Sequence, residues 1–261
     1  MLQTEQFGQG ESLTLIHGWG AQNAVWHDWA QQQLAAHFSV TLIELPGFGN
    51  TPALEAESGT ELDAWLSAIV SVLPDKTHLL GWSLGGLLAQ QIALRHPERI
   101  ESVICLASTP RFTQNDDWQW AVSPKMMADF LKSVQADSLT TLKHFWKLQL
   151  QLQGGAQPRT EIRQFLTRMQ ALKFPTLTGL VQGLTLLKQI DNRTAITELS
   201  QPLLWLLGEH DPLVPLDAFE HFSQPVQSQI YVLQGAGHSP FYSHPDATAQ
   251  AIIEFLQQEP A

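Results

Sequence analysis

The segment Leu79-Leu80-Gly81-Trp82-Ser83-Leu84-Gly85-Gly86 constrains this chain more than any other. An apolar run ends in Gly-x-Ser-x-Gly, and a helical pattern follows at once. Leu84, Leu87, Leu88 and Ile92 form an apolar stripe at helical spacing, while Gln90, Gln91 and Arg95 fill polar positions. Such a segment predicts a strand, a sharp turn and a helix, with Ser83 on the turn. Gly81 and Gly85 leave room for the backbone crossing there. The turn lifts the Ser83 hydroxyl clear of the sheet, and the Leu84 amide at the new helix N-terminus faces the same space. That arrangement suits a nucleophilic serine.

The rest of the chain is read around this unit. Short apolar runs at Leu13–His17, Val40–Leu45, Leu79–Trp82 and Val103–Ala107 alternate with amphipathic stretches at Trp26–Ala36, Leu62–Leu73 and Leu84–His96. Continuous apolar strands between helices indicate an α/β fold, a mostly parallel central sheet covered by helices on both faces. From Pro124 to about Ile190 the strands stop and the pattern is helical. They resume at Leu203–Leu207 and Ile230–Leu233, and Pro245–Gln258 reads as a closing helix. The expected organisation is a core of residues 1–120 and 192–261, interrupted by a helical cap at 121–191.

A serine hydroxyl needs a base to take its proton and an acid to orient the base. His238, in Gly235-Ala236-Gly237-His238-Ser239-Pro240, follows the Ile230–Leu233 run on a Gly-rich loop. Asp211, in Gly208-Glu209-His210-Asp211-Pro212, follows Leu203–Leu207 in the same way. All three residues fall just past C-terminal strand ends, where open α/β sheets place their sites. His210 is a rival base, and Glu209 and Asp217 are rival acids. The developing oxyanion needs donors. Leu84 N–H offers one, and the glycine-flanked loop His17-Gly18-Trp19-Gly20 offers Trp19 N–H as the second.

The 261 residues include one cysteine, Cys105, in an apolar run, so neither an internal disulfide nor a paired-cysteine metal site is expected. The opening residues lack a basic stretch followed by an apolar core, and no run has membrane-spanning length. A soluble, cytoplasmic monomer without metal or cofactor is the expectation. The net charge of −11 argues against nucleic acid as a partner. The charge is uneven, however. Between Pro124 and Pro175 stand Lys125, Lys132, Lys143, Lys147, Arg159, Arg163, Arg168 and Lys173 against only Asp129, Asp137 and Glu161, a net +5 that leaves −16 for the remainder.

With these residues in view, the chain resembles the α/β-hydrolase superfamily over nearly its whole length. The motifs are His17-Gly18-Trp19-Gly20, Glu44-Leu45-Pro46-Gly47-Phe48-Gly49, Gly81-Trp82-Ser83-Leu84-Gly85-Gly86, Ile92 to Arg99, and His238-Ser239-Pro240 with His244-Pro245. The pairing of His-Gly-Trp-Gly with Gly-Trp-Ser-Leu-Gly-Gly is similar to the BioH carboxylesterases of biotin synthesis. Those enzymes hydrolyse the methyl ester of pimeloyl-acyl-carrier protein. The resemblance implies an α/β-hydrolase fold and a triad of Ser83, Asp211 and His238, with Trp19 and Leu84 as oxyanion donors. It also implies an acyl pocket lined by Phe145, Gln149 and Trp82. Arg159 and Arg163, four apart, match cap arginines that hold the carrier. Glu44 stands where the family carries aspartate, and Lys143-His144 stands where an arginine is expected. An acidic acyl-carrier protein docking on the basic cap, 124–175, would account for the charge asymmetry. The competing readings are a broad short-chain esterase or lipase, a C–C bond hydrolase, and a non-catalytic binding protein of the same fold. Dehalogenase or epoxide-hydrolase chemistry would want aspartate at position 83.

Overall fold

The computed structural model describes residues 1–55, 57, 59–151, 163, 165–167, 169 and 172–258. Its framework is a seven-stranded sheet: β1 (Thr4–Gly8), β2 (Glu11–Ile16), β3 (Phe38–Ile43), β4 (Thr77–Trp82), β5 (Ile100–Leu106), β6 (Leu203–Gly208) and β7 (Ser228–Leu233), in the order β1-β3-β2-β4-β5-β6-β7. All neighbouring strands run parallel except β1, which pairs antiparallel with β3 from Thr4↔Ile43 to Gly8↔Ser39. The six expected strands are present, each within a few residues of its apolar run. β1 is the addition. Its sequence, Thr-Glu-Gln-Phe-Gly, is mostly exposed and carries no apolar run, so only its pairing with β3 makes it a strand.

The register explains the continuous apolar runs. Leu15, Leu80, Ile104 and Leu204 form one row across the sheet, and Ile16, Gly81, Cys105 and Trp205 form the next. Successive side chains point to opposite faces, and both faces are buried. One face is covered by α1 (His27–Gln33) through Trp29 and Ala30, and by the C-terminal helix through Ile252 and Phe255. The other face is covered by α2 (Glu61–Val70) and α3 (Leu84–Arg95), through Trp65, Leu66, Leu87 and Leu88. The C-terminal helix spans Pro245–Leu256.

Between β5 and β6 the named elements are helices: α4 (Pro124–Ala136), α5 (Ser138–Gln151) and α6 (Leu177–Gln189). Two are capped by hydroxyls: Ser123 Oγ accepts from Met126 N at 3.2 Å, and Thr176 Oγ1 from Gly179 N at 3.1 Å. The two ends of this helical stretch lie side by side. Asn192 N donates to Pro110 O at 2.9 Å, and its buried side chain donates to Gln90 Oε1 at 2.9 Å. Asp191 pairs with Arg111 at 2.8 Å and with Arg193 at 2.7 Å. None of the described helices is long and apolar enough to cross a membrane.

The crossing of α3 over β2 has no spare room. A Cβ at Gly85 would overlap the Ile16 carbonyl oxygen and lie 2.8 Å from that of His17. Both obstacles are backbone and cannot swing aside. Gly85→Ala is therefore expected to cost about 2 kcal/mol or more of stability. Urea denaturation reads this directly, and a midpoint equal to that of the parent would show that the crossing relaxes freely.

Candidate active site

Ser83 joins β4 to α3 with φ 54° and ψ −116°, a conformation rarely taken by a side-chain-bearing residue. Such a residue costs on the order of 1–3 kcal/mol and persists because its surroundings over-determine it. Here Ser83 N donates to Leu106 O at 3.0 Å, while Ser83 O accepts from Gly86 N at 2.9 Å and from Ser108 Oγ at 2.8 Å. A Cβ at Gly81 would overlap Gly85 O, so the two motif glycines are the condition for the turn.

The strained turn presents Ser83 Oγ to His238. The histidine Nε2 lies 3.0 Å from the hydroxyl, and its Nδ1 lies 2.8 Å from Asp211 Oδ2. All three side chains are buried. An ionised carboxylate only accepts, so His238 Nδ1–H donates to Asp211 and Nε2 keeps a lone pair towards the serine. Asp211 is fixed in turn, because its Oδ1 accepts from Leu213 N at 2.8 Å and Val214 N at 3.2 Å. The rivals stand apart. His210 is half exposed and faces Glu209 at 3.7 Å. Glu209 accepts from Gly235 N at 2.8 Å and so braces the loop that carries His238. Asp217 sits in the short turn Leu216–Glu220.

Opposite the serine runs the loop after β2. A Cβ on Gly18 would lie 3.1 Å from the Trp82 ring and 3.2 Å from Ser83 Cβ, so this backbone runs close beside the serine. Trp19 N–H follows, and Leu84 N–H begins α3, where no helical carbonyl can reach it. Neither amide has an acceptor among the described residues. Above Ser83 opens a cavity of about 150 Å³ whose other described lining is apolar, including Trp19, Phe130, Phe145, Leu184 and Leu187. Met126, also on its wall, is largely exposed.

The expected site residues are thus not all in one place. Ser83, His238 and Asp211 meet in one hydrogen-bonded chain, and Trp19 and Phe145 wall the cavity together. Trp82 faces elsewhere: its ring packs on Phe241 and Trp26, and its indole N–H donates to His238 O at 2.7 Å. Strand alternation causes this, sending Trp82 to the opposite face of the sheet from the cavity, where it fixes the histidine backbone. Gln149 is buried on α5 but lies outside the described lining. Arg159 lies outside the described residues, and Arg163 is exposed.

Two polar residues at the sheet edge hold the site together. His17, fully buried, donates from Nδ1 to Gly18 O at 2.8 Å and accepts at Nε2 from Leu45 N at 3.1 Å. Burial lowers its pKa to about 4, so the ring is neutral at pH 7. Glu44 is also buried. Its carboxylate accepts from Asn50 N at 2.8 Å and Asn23 N at 3.4 Å, and desolvation raises its pKa above the usual carboxylate value. Together they tie the loop after β2 to the loop after β3. A polar residue closing an apolar strand was the sequence signal for both. The lining residues Phe112, Val122 and Leu213 carried no such signal, because they come from loops without periodicity.

A model of the alpha/beta hydrolase fold matches residues 11–245. The chain is 41% identical over 256 residues to the pimeloyl-[acyl-carrier protein] methyl ester esterase of Aeromonas salmonicida, covering 98% of this chain and 99% of that one. It is 36% identical over 258 residues to the protein of the same name from Citrobacter koseri, covering 98% and 97%. Among solved structures it superposes on an esterase from Exiguobacterium antarcticum with a TM-score of 0.87 at 20% identity, over 98% of this chain and 96% of that one. An enol-lactonase from Burkholderia xenovorans superposes with 0.83 at 18% identity, over 98% and 96%. At these identities the superpositions speak for the fold.

Proposed function

The chain belongs to the α/β-hydrolase fold family and is a carboxylic ester hydrolase, and from that premise we propose that it cleaves the methyl ester of pimeloyl-acyl-carrier protein in biotin synthesis through a Ser83–His238–Asp211 triad. The observation that carries the chemistry is the continuous hydrogen-bonded chain from Asp211 through His238 to Ser83 at the floor of an apolar cavity. The substrate rests on full-length relatives of that name.

In this reading His238 Nε2 takes the Ser83 proton as the oxygen attacks the ester carbonyl. Asp211 stabilises the imidazolium. The amides of Trp19 and Leu84 receive the oxyanion. Collapse of the tetrahedral intermediate breaks the carbonyl–methoxy bond, and the imidazolium protonates departing methanol. Water, deprotonated by the same histidine, then attacks the acyl-serine and releases the free carboxylate. The thioester survives because only the distal carbonyl is held against Ser83. Phe145 walls the acyl chain, with Gln149 behind it on the same helix. Residues 121–191 act as a cap on a core of 1–120 and 192–261, and the basic face of 124–175 receives the acidic carrier. Lys125 and Lys132 on α4 are strongly exposed, although both lean towards Asp129.

The test compares kcat/KM for pimeloyl-acyl-carrier protein methyl ester with that for free dimethyl pimelate, at low and high salt. A preference for the carrier-bound ester of about tenfold or more, shrinking as the Debye length falls from about 10 Å to about 3 Å, is expected. Equal rates that ignore salt would replace this reading with a general short-chain carboxylesterase.

A further inference from the structure

The loop Gly18-Trp19-Gly20 carries an oxyanion amide in the reading above, yet glycines on both sides of Trp19 give it the greatest backbone freedom. An oxyanion donor works only when it is held in place before the reaction. On the core side, Gly18 O accepts from His17 Nδ1 at 2.8 Å and from Ala21 N at 3.3 Å. The second bond closes a turn whose two central residues are Trp19 and Gly20, so on the core side the turn is held by one long bond across it.

The helices between β5 and β6 add two shorter bonds to this turn. Trp146 on α5 donates its indole N–H to Gly20 O at 2.8 Å, and Trp19 donates its own to Leu180 O on α6 at 2.9 Å. Gly20 has φ +74° and lies so close beneath α5 that a Cβ there would be 2.6 Å from Leu142 Cδ2. A Cβ on Gly183 of α6 would lie 2.7 Å from the Trp19 ring. Trp146 is buried, so its N–H loses a partner if α5 lifts away. On the same helix, Phe145 walls the acyl cavity and packs edge-on to Trp19, with ring centroids 5.2 Å apart.

We propose that Trp146 is a positioning residue: through its hydrogen bond to Gly20, the seating of α5 over an acyl chain sets the Trp19 amide for the oxyanion. This rests on the serine-esterase reading above.

Trp146→Phe removes the N–H donor together with the five-membered part of a buried indole, while keeping an aromatic ring at the position. With p-nitrophenyl acetate, kcat is expected to fall about tenfold, with KM changed less than twofold. Affinity for a trifluoromethyl ketone, which forms an oxyanion on Ser83, should weaken by a similar factor in the folded protein, while the melting temperature falls by a few degrees. A merely structural residue would lower the melting temperature alone and leave kcat and the ketone affinity of the folded fraction intact. Trp19→Phe, which removes the bond to Leu180, should repeat the pattern and serves if Trp146→Phe does not fold. Parent-like kcat and ketone affinity in the folded variant overturn the proposal. Ser83→Ala is assayed alongside: if it alone is inactive, only the coupling fails, whereas an active Ser83→Ala removes the serine reading on which the coupling rests.

Discussion

Ser83→Ala is expected to fold and melt like the parent and to lose roughly 10⁴–10⁶-fold in kcat on a p-nitrophenyl ester. The fold should survive because the turn at position 83 is held by its backbone. Leu106, Gly86 and Ser108 contact only Ser83 N and O, and the hydroxyl faces only His238. Activity should not survive, since no other described hydroxyl stands against His238 Nε2. Asp211→Asn should cost about 10⁴-fold by a different route. An amide at that position can present its NH₂ to Nδ1, which favours the tautomer with the proton on Nε2 and removes the base from Ser83. Circular dichroism with initial rates checks both variants. Turnover within tenfold of the parent in Ser83→Ala would sink the serine mechanism.

The second large effect concerns stability and pH. His17 is buried and neutral in the folded chain, with its pKa lowered to about 4 against 6.5 for an unperturbed histidine. Between those two values the unfolded chain binds a proton that the native chain refuses, so stability falls as pH drops through the window. Well above pH 6.5, by about pH 8, the group is neutral in both states and adds no pH dependence. The loss approaches about 3 kcal/mol once pH reaches 4, and about 2 kcal/mol of it accrues between pH 8 and pH 5. Other groups titrate over the same range, so the useful quantity is the difference between the parent and His17→Gln. Glutamine can accept from Leu45 N and donate to Gly18 O without titrating. Urea denaturation at pH 8 and pH 5 should show the parent losing about 2 kcal/mol more than the variant over that interval. Parallel losses would mean that the His17 ring takes up its proton in the folded state at the ordinary pH.

Much of this site is written locally. The turn at Ser83, the Gly-rich loop of His238 and the strand end before Asp211 each follow from a few neighbouring residues. A nucleophile, a base and an acid at three strand ends of one parallel sheet come to the same edge whatever the loops do. β1 was not legible, because a polar edge strand buries almost nothing and is defined by its partner. The direction of Trp82 was not legible either. Its place beside the serine suggested the cavity, but pleating turns adjacent residues to opposite faces, and Trp82 holds the His238 backbone from below.

The sequence by itself determined the α/β framework, the strained serine turn and the order of the three candidate residues, since strand period, glycine placement and strand-end loops are local properties. The tertiary structure alone decided what surrounds them. Helices far away in the chain bring Phe130, Phe145 and Leu184 over Ser83, and they reach down through Trp146 and Leu180 to the loop of Trp19. A hydrogen bond between residues 126 positions apart leaves no trace in either neighbourhood. It exists because α5 and α6 pack against the loop after β2, which only the folded chain brings beneath them.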